Sequence, residues 1–194
     1  CLVGSEMCIR DRKREKYMNV TVYCGSSMGS DPDYKKAAEA LGLWIAGNGH
    51  TLVYGGGNIG LMGIIADTVL ENGGKVIGII PDFLLHCEQG HEGLHTLEVV
   101  HSMSTRKSRM IELGDAFIAM PGGIGTLEEI AEVLTLRRLG RTEKRAFLYN
   151  INGYYEPLRG TFRQMVEKEF LPEEEMKLFE FVANVNEMDD ALRG

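Results

Sequence analysis

Short apolar runs alternate with longer amphipathic stretches along most of the chain. Strands that are apolar on both faces, each followed by a helix, indicate a parallel sheet covered on both sides. We therefore predict a single α/β domain with a Rossmann-like, doubly wound parallel sheet. The predicted strands span residues 20–24, 50–54, 75–80, 96–100, 116–120, 145–150 and 179–183. The predicted helices span 31–47, 61–71, 104–113, a Gly-rich turn to about 139, 154–169 and 187–192.

Charge and cysteine content limit the possible partners. The 194-residue chain carries a formal charge of −7, which argues against nucleic acid or an anionic membrane as a partner. No apolar run approaches the roughly 18 residues that a membrane-spanning helix needs. Its four cysteines lack CxxC spacing and are expected to be reduced thiols of a cytoplasmic protein. They are Cys1, Cys8, Cys24 and Cys87.

The first 17 residues do not follow the alternating pattern. They combine a short apolar start with the charged run Arg10-Asp-Arg-Lys-Arg-Glu-Lys16, and they lack the apolar segment and cleavage site of a signal peptide. The segment resembles translated sequencing-adapter read-through. We expect residues 1–17 to be a disordered, non-native leader, Met18 to be the native start, and residues 18–194 to form the functional domain.

A glycine-rich turn between the fifth predicted strand and its helix carries the most informative motif, Pro121-Gly-Gly-Ile-Gly-Thr-Leu-Glu-Glu129. Such a turn leaves backbone N–H groups at the positive end of the helix dipole, where a phosphate binds well. Thr126 can cap the helix or donate to the phosphate. Glu129 has a role if a carboxylate must face the sugar attached to that phosphate. The alternative is a simple capping box, Thr126-x-x-Glu129.

This nine-residue pattern resembles the signature of the LONELY GUY family of nucleotide phosphoribohydrolases, often mislabelled as lysine decarboxylases. The resemblance runs from about Met18 to Leu192. It implies hydrolysis of the N-glycosidic bond of purine nucleoside 5′-monophosphates, of the cytokinin type or AMP, by a homodimer without cofactor or metal. The signature helix and residues 154–169 are candidate interface elements. Three further segments match in order: Tyr23-Cys-Gly-Ser-Ser27, Tyr54-Gly-Gly-Gly-Asn-Ile-Gly-Leu-Met-Gly63 and Met103-Ser-Thr-Arg-Lys107.

The resemblance also implies roles for individual residues. Glu129 would stabilise the developing sugar cation or activate water, and Arg106 would stabilise or help protonate the departing base. The Glu88 assignment could shift to Glu92, and the Thr135 hydroxyl could simply bond to its own helical turn. Ser26 could equally be an ordinary residue of a helix-entry loop. The expected substrate-binding residues are Gly122, Gly123, Ile124, Gly125, Thr126, Leu127, Glu128, Lys107, Glu88, Thr135, Ser26, Gly56 and Gly57.

Parts of the sequence are compatible with three other functions. The segment from Gly55 to Gly60 satisfies G-x-G-x-x-G, which with Asp82 could bind a dinucleotide. A non-catalytic carrier of the same fold is a second possibility, but it would not need the pair Arg106 and Glu129. A metal site is the third, although the spacing matches neither HExxH nor CxxC. Its ligands would come from His86, Cys87, His91, Glu92, His95 and His101.

Overall fold

The structure is a computed structural model that describes residues 17–193, which form one seven-stranded sheet with helices on both faces. All neighbouring strands pair in parallel, in the order β4-β3-β2-β1-β5-β6-β7. The strand order therefore proceeds outward from β1 in both directions, as in a doubly wound sheet. This confirms the predicted fold class. The strands are β1 (Asn19–Tyr23), β2 (Thr51–Tyr54), β3 (Lys75–Pro81), β4 (Thr96–Val100), β5 (Ala116–Ala119), β6 (Arg145–Tyr149) and β7 (Glu180–Val182).

Two apolar layers cover the sheet because successive strand residues face opposite sides. In β5, Ile118 packs into one layer and its neighbours Phe117 and Ala119 pack into the other. The first layer also contains residues of α1, α2 and α6, and the second contains residues of α3, α4 and α5. The helices are α1 (Pro32–Gly47), α2 (Gly60–Glu71), α3 (Met103–Leu113), α4 (Ile124–Arg138), α5 (Glu156–Glu167) and α6 (Val185–Arg193).

Most predicted elements differ from the observed ones only at their ends. The Asp31 cap is confirmed, since its carboxylate accepts from Asp33 N at 2.9 Å and Pro32 follows it. The predicted helix at 154–169 begins only at Glu156. Before it, a 3-10 turn has φ angles of 49° at Asn152 and 77° at Gly153. Pro157 lacks the N–H that it would have to donate in a helix begun at residue 154, so it is confined to the first turn.

The expectation that residues 1–17 form a disordered leader stays a prediction, because all of them except Tyr17 lie outside the described residues. Among residues 17–193, no helix is both long enough and apolar enough to cross a membrane.

The loops that follow β1, β2, β3 and β5 meet at the carboxyl edge of the sheet. Gly25 N donates to Pro121 O at 3.1 Å, which joins the β1 loop to the β5 loop. Leu61 N donates to Gly25 O at 3.1 Å, which joins the start of α2 to the same point. Gly57 and Gly90 form a β-bridge between the β2 and β3 loops. Doubly wound sheets bind their ligands at this edge.

Candidate active site

A cleft of about 300 Å³ lies over the carboxyl ends of β1, β2 and β5. Eight of the residues expected from the sequence line this cleft. They are Ser26, Glu88, Arg106, Gly123, Ile124, Gly125, Thr126 and Glu129. The cleft therefore brings both expected catalytic side chains to the same place as the start of the signature helix.

The signature loop presents a row of free backbone donors at one end of the cleft. Helix α4 begins after Gly123, which has no side chain to cap it. Within the described residues, the N–H groups of residues 122–126 have no acceptor. Thr126 is the third residue of the helix rather than its cap, so the capping-box alternative is wrong. These donors at the positive end of a 15-residue helix form a site suited to a phosphate.

Arg106 is held beneath the cleft with its guanidinium in a fixed orientation. The side chain is buried, with Nε donating to Ile79 O and Nη2 donating to Gly55 O, both at 3.1 Å. Nη2 also lies 3.6 Å from Glu88 Oε2. A Cβ on Gly55 would lie 1.9 Å from Nη2. The absence of a side chain at Gly55 is therefore what admits the guanidinium, and this residue was not among those expected.

Glu129 lies one turn into α4 with its side chain facing the cleft. The residue is only 8 % exposed. Burial raises the pKa of its carboxyl to about 7, although the Arg106 guanidinium opposes part of that shift. A carboxyl with a pKa near neutrality can change its protonation state at working pH, which suits an acid–base or cation-stabilising role.

The loop after β3 brings Glu88 to the cleft and not Glu92, which is exposed. Asn58 N donates to Glu88 O at 3.0 Å, and His91 N donates to Gly56 O at 3.0 Å. Burial raises the pKa of the Glu88 carboxyl. These backbone bonds attach the β3 loop to the β2 loop, so Glu88 is held beside Arg106.

Two of the histidines considered as metal ligands, His91 and His101, have other partners. His91 is buried, and Gly93 N donates to its Nδ1 at 3.0 Å, so Nε2 carries the hydrogen and donates to Asp67 Oδ1 at 2.9 Å. His101 pairs with Asp82 instead. Across residues 17–193, no three His, Cys, Asp or Glu side chains are grouped as metal ligands.

One wall of the cleft is apolar and was not predicted. It is formed by Met62, Leu84, Met103 and Met110. Met62 and Met103 lie in the sequence segments that match the family, and that match could have identified them as site residues. Thioether and aliphatic side chains of this kind suit the flat face of a base. Burial strongly raises the pKa of the Cys24 thiol at the floor of the cleft, so it is not an activated nucleophile.

Several expected binding residues lie outside the cleft. Lys107 Nζ contacts the carboxylates of Glu128 and Glu132 on the surface of α4. The Thr135 hydroxyl donates to Ala131 O at 2.7 Å, as in the alternative given for it. Leu127 and Glu128 face away from the cleft and are exposed. Direct substrate contacts by these side chains are not seen within this chain and stay predictions.

The second glycine loop is packed inward. A Cβ on Gly56 would lie 3.1 Å from Ile80 Cβ, and one on Gly57 would lie 3.1 Å from Glu88 O. Gly122, although in the signature, is also a packing residue, since a Cβ there would lie 2.2 Å from Thr126 Oγ1. In the G-x-G-x-x-G segment from Gly55 to Gly60, Asn58 N donates to the β3 loop and is not free for a ligand. That segment therefore does not form a pyrophosphate cradle.

Sequence comparison identifies relatives over most of the chain. A family model described as "Possible lysine decarboxylase" matches residues 62–192. A cytokinin riboside 5′-monophosphate phosphoribohydrolase of Rhodococcoides fascians is 50 % identical over 72 % of this chain and 71 % of its own length. The enzyme of the same name, LOG, from Oryza sativa subsp. japonica is 40 % identical over 86 % of this chain and 69 % of its own length.

Solved structures share the fold at much lower identity. A molybdenum cofactor carrier protein from Chlamydomonas reinhardtii superposes with a TM-score of 0.70 at 20 % identity, covering 92 % of this chain and 97 % of that one. The molybdenum cofactor binding protein of Rippkaea orientalis gives 0.68 at 21 % identity, covering 92 % and 96 %. These neighbours show the fold alone. The sequence relatives show more: the chain belongs to the LONELY GUY family of cytokinin riboside 5′-monophosphate phosphoribohydrolases.

Proposed function

We propose that the chain hydrolyses the N-glycosidic bond of purine nucleoside 5′-monophosphates, either cytokinin-type or AMP, to free base and ribose 5-phosphate. Family membership supports this reaction. The observation that carries it is the single cleft that combines free N–H donors, a buried carboxyl and a buried guanidinium. A nucleoside monophosphate needs these three groups in that order: at its phosphate, at its sugar and beside its base.

The substrate would be held from its two ends. The 5′-phosphate accepts from the N–H groups of residues 122–126, and the base lies along the apolar wall that includes Met62 and Met103. Binding at the phosphate is remote from the bond that breaks. It fixes the ribose so that its anomeric carbon faces Glu129. The entropic cost of orienting the reacting groups is then met on binding, which lowers the activation barrier of hydrolysis.

Hydrolysis breaks the bond between the anomeric carbon and the base nitrogen, and positive charge develops on the ribose. The Glu129 carboxylate stabilises that charge and accepts a proton from the attacking water. The Arg106 guanidinium stabilises the electron pair that leaves with the base. Its anchoring to Ile79 O and Gly55 O means that no reorientation is needed during the reaction. The base takes up a proton from solvent, and Glu129 returns the proton of the attacking water to solvent.

Two other activities receive less support. Lysine decarboxylation, suggested by the wording of the family model, would require a lysine to hold pyridoxal phosphate. No lysine lines the cleft within the described chain, and Lys107 is engaged by two glutamates on the surface. A carrier role rests on structural neighbours at about 20 % identity, and it would give the buried pair Arg106 and Glu129 no task.

Incubation with AMP and with isopentenyladenosine monophosphate tests the proposal directly. We expect equal molar amounts of free base and ribose 5-phosphate, resolved by chromatography. Adenosine is the matched control, since it has the same bond but no phosphate, and it should be cleaved far more slowly. Tight nucleotide binding without base release would favour a carrier, and release of inorganic phosphate would indicate different chemistry.

We also propose that the protein works as a homodimer in the cytoplasm, with α4 in the interface. Large apolar side chains are exposed along the outer face of α4: Ile124 is 82 % exposed and Leu127 is 39 % exposed. Near the end of α5, Met165 is 40 % exposed and Phe170 is 78 % exposed. Ile124 is also part of the cleft, so a subunit packed on this face would help to close the site.

Leu127→Asp is expected to convert the dimer to a monomer, because it would place a charge in an apolar interface. Light scattering after size-exclusion chromatography measures the mass, and Met28→Asp is a control on an exposed methionine outside α4 and α5. A dimer that persists in Leu127→Asp, or a wild-type protein that is already monomeric, would contradict the proposed interface.

A further inference from the structure

Three successive backbone carbonyls at the start of the signature loop each accept a hydrogen bond. The Tyr155 hydroxyl donates to Met120 O at 2.6 Å, and the Tyr154 hydroxyl donates to Gly122 O at 2.5 Å. Between them, Gly25 N donates to Pro121 O at 3.1 Å. Tyr154 and Tyr155 do not line the cleft, so Gly122 O and Met120 O are turned towards groups outside it.

The peptide plane converts this anchoring into an orientation of the donors. In a trans peptide, the carbonyl of one residue and the N–H of the next point in opposite directions. The bond at Pro121 O therefore orients the Gly122 N–H, and the bond at Gly122 O orients the Gly123 N–H. The bond at Met120 O orients no donor, because the next residue is Pro121 and has no N–H.

The peptide between Gly122 and Gly123 is the one that most needs such a bond. It is flanked by two glycines, so rotation of the plane meets little steric resistance. A rotated peptide would point its carbonyl, with a partial negative charge, at the phosphate. The Tyr154 hydroxyl is the only group within the described residues that donates to Gly122 O.

Tyr154 is itself held in place by its neighbours. Its ring packs edge-on against Tyr34 and Tyr155, with centroids 5.8 Å and 5.0 Å away. It follows the 3-10 turn in which Asn152 Nδ2 donates to Asp31 and Asp33 at 2.9 and 3.0 Å. Tyr34, Asp31 and Asp33, all outside the signature loop, therefore help to hold the Tyr154 ring and its turn in place.

We propose that Tyr154 is a positioning residue for phosphate binding, which keeps the Gly122–Gly123 peptide turned so that the Gly123 N–H faces the 5′-phosphate. The inference rests on the proposed function, since it assigns the ligand of the loop as the phosphate of a nucleotide. Tyr155 makes a similar bond two peptides earlier, at Met120 O, yet that bond orients no donor. The pair therefore provides a variant and its matched control in adjacent residues.

Tyr154→Phe and Tyr155→Phe each remove one hydroxyl and leave the ring. For Tyr154→Phe we expect about a tenfold weaker binding of ribose 5-phosphate by calorimetry and a similar rise in KM for AMP, the size of one lost hydrogen bond. The kcat for AMP and the kcat/KM for adenosine should change less than threefold, since adenosine has no phosphate. Tyr155→Phe should lower the melting temperature while its affinity for ribose 5-phosphate stays within twofold of wild type.

The outcomes separate the inference from the proposed function. Wild-type affinity for ribose 5-phosphate in Tyr154→Phe would overturn the inference, and so would equal weakening in both variants, which would indicate general loosening. Weakening confined to Tyr154→Phe supports it even if AMP is not hydrolysed, because calorimetry needs no turnover. A wild-type protein that binds ribose 5-phosphate but releases no base overturns the hydrolase proposal alone. One that does not bind ribose 5-phosphate overturns both.

Discussion

Glu129→Gln is expected to lower kcat for AMP by on the order of 10² or more with little change in nucleotide affinity. The substitution keeps the size of the side chain and removes only the charge that acts on the developing sugar cation. Because that charge matters mainly in the transition state, its loss appears in kcat rather than in ground-state binding. Single-turnover base release, together with calorimetric binding of AMP, measures both quantities.

Glu132→Gln is the matched control, three residues further along the same helix. Its carboxylate contacts Lys107 and does not line the cleft, so the rate of this variant should be close to that of the wild type. If Glu129→Gln hydrolyses AMP at a rate similar to this control, Glu129 has only a structural role and the proposed chemistry is wrong.

The pH dependence follows from the same carboxyl. Burial raises the pKa of Glu129 to about 7, and only its ionised form can accept a proton or stabilise a cation. Below that pH, kcat should therefore fall about tenfold per pH unit. Above it, kcat should level off. The residual activity of Glu129→Gln should lack this limb.

The raised pKa also predicts an opposite effect on stability. Between pH 4.5 and 7 the folded protein holds a proton on Glu129 that the unfolded chain releases, so the free energy of unfolding falls as pH rises through this window, by up to about 3 kcal/mol. Glu129→Gln removes this penalty. Its melting temperature at pH 8 should exceed that of the wild type, which distinguishes lost chemistry from a damaged fold.

The fold class was accessible from the sequence because burial on both faces makes each strand apolar throughout. Ile118 and Phe117 face opposite layers of the core, and a half-exposed strand would have shown a polar residue at one of these positions. The order of strands was not accessible. It depends on which distant strands pair, such as β1 with both β2 and β5, and no local pattern records that.

Site residues with unusual chemistry could be predicted from the sequence. Those that depend on which side of a helix faces the cleft were predicted less well. Glu129 was identified because a carboxylate near a phosphate loop is unusual. The nine-residue match, however, gave the same binding role to all of its neighbours. On a helix, successive residues differ by about 100°, so Thr126 and Glu129 face the cleft while Leu127 does not. The same geometry separates Lys107 from Arg106. Applying the helical period to the motif would have found both differences.

The glycines show a second limit of sequence reasoning. The family resemblance indicated Gly56 and Gly57 as binding residues, whereas Gly55 is the one that lines the cleft. Three adjacent glycines look identical in a sequence. What distinguishes them is the neighbour that a Cβ would meet: Arg106 for Gly55, and residues of β3 and its loop for the other two. Those neighbours come from distant parts of the chain.

Arg106→Ala is expected to lower kcat/KM for AMP by on the order of 10³, through both a lower kcat and a higher KM. The guanidinium stabilises the departing base and also attracts the dianionic substrate, so its loss affects both quantities. The variant should melt at a lower temperature as well. Ile79 O and Gly55 O would lose their donor and Glu88 its nearby cation, all of them at least partly buried.

Because Arg106→Ala also damages packing, Gly55→Ala provides a cleaner version of the same prediction. Its methyl group would overlap Arg106 Nη2, so the guanidinium remains in the protein but is displaced from its position. A misplacement of about 1 Å costs on the order of 10² in rate. We expect that loss mainly in kcat, with AMP still bound because the charge is retained. Gly160→Ala in α5, where a methyl group meets no neighbour, is the control. Full activity in Gly55→Ala would mean that the orientation of Arg106 does not matter, and Arg106 would then act only by attracting the substrate.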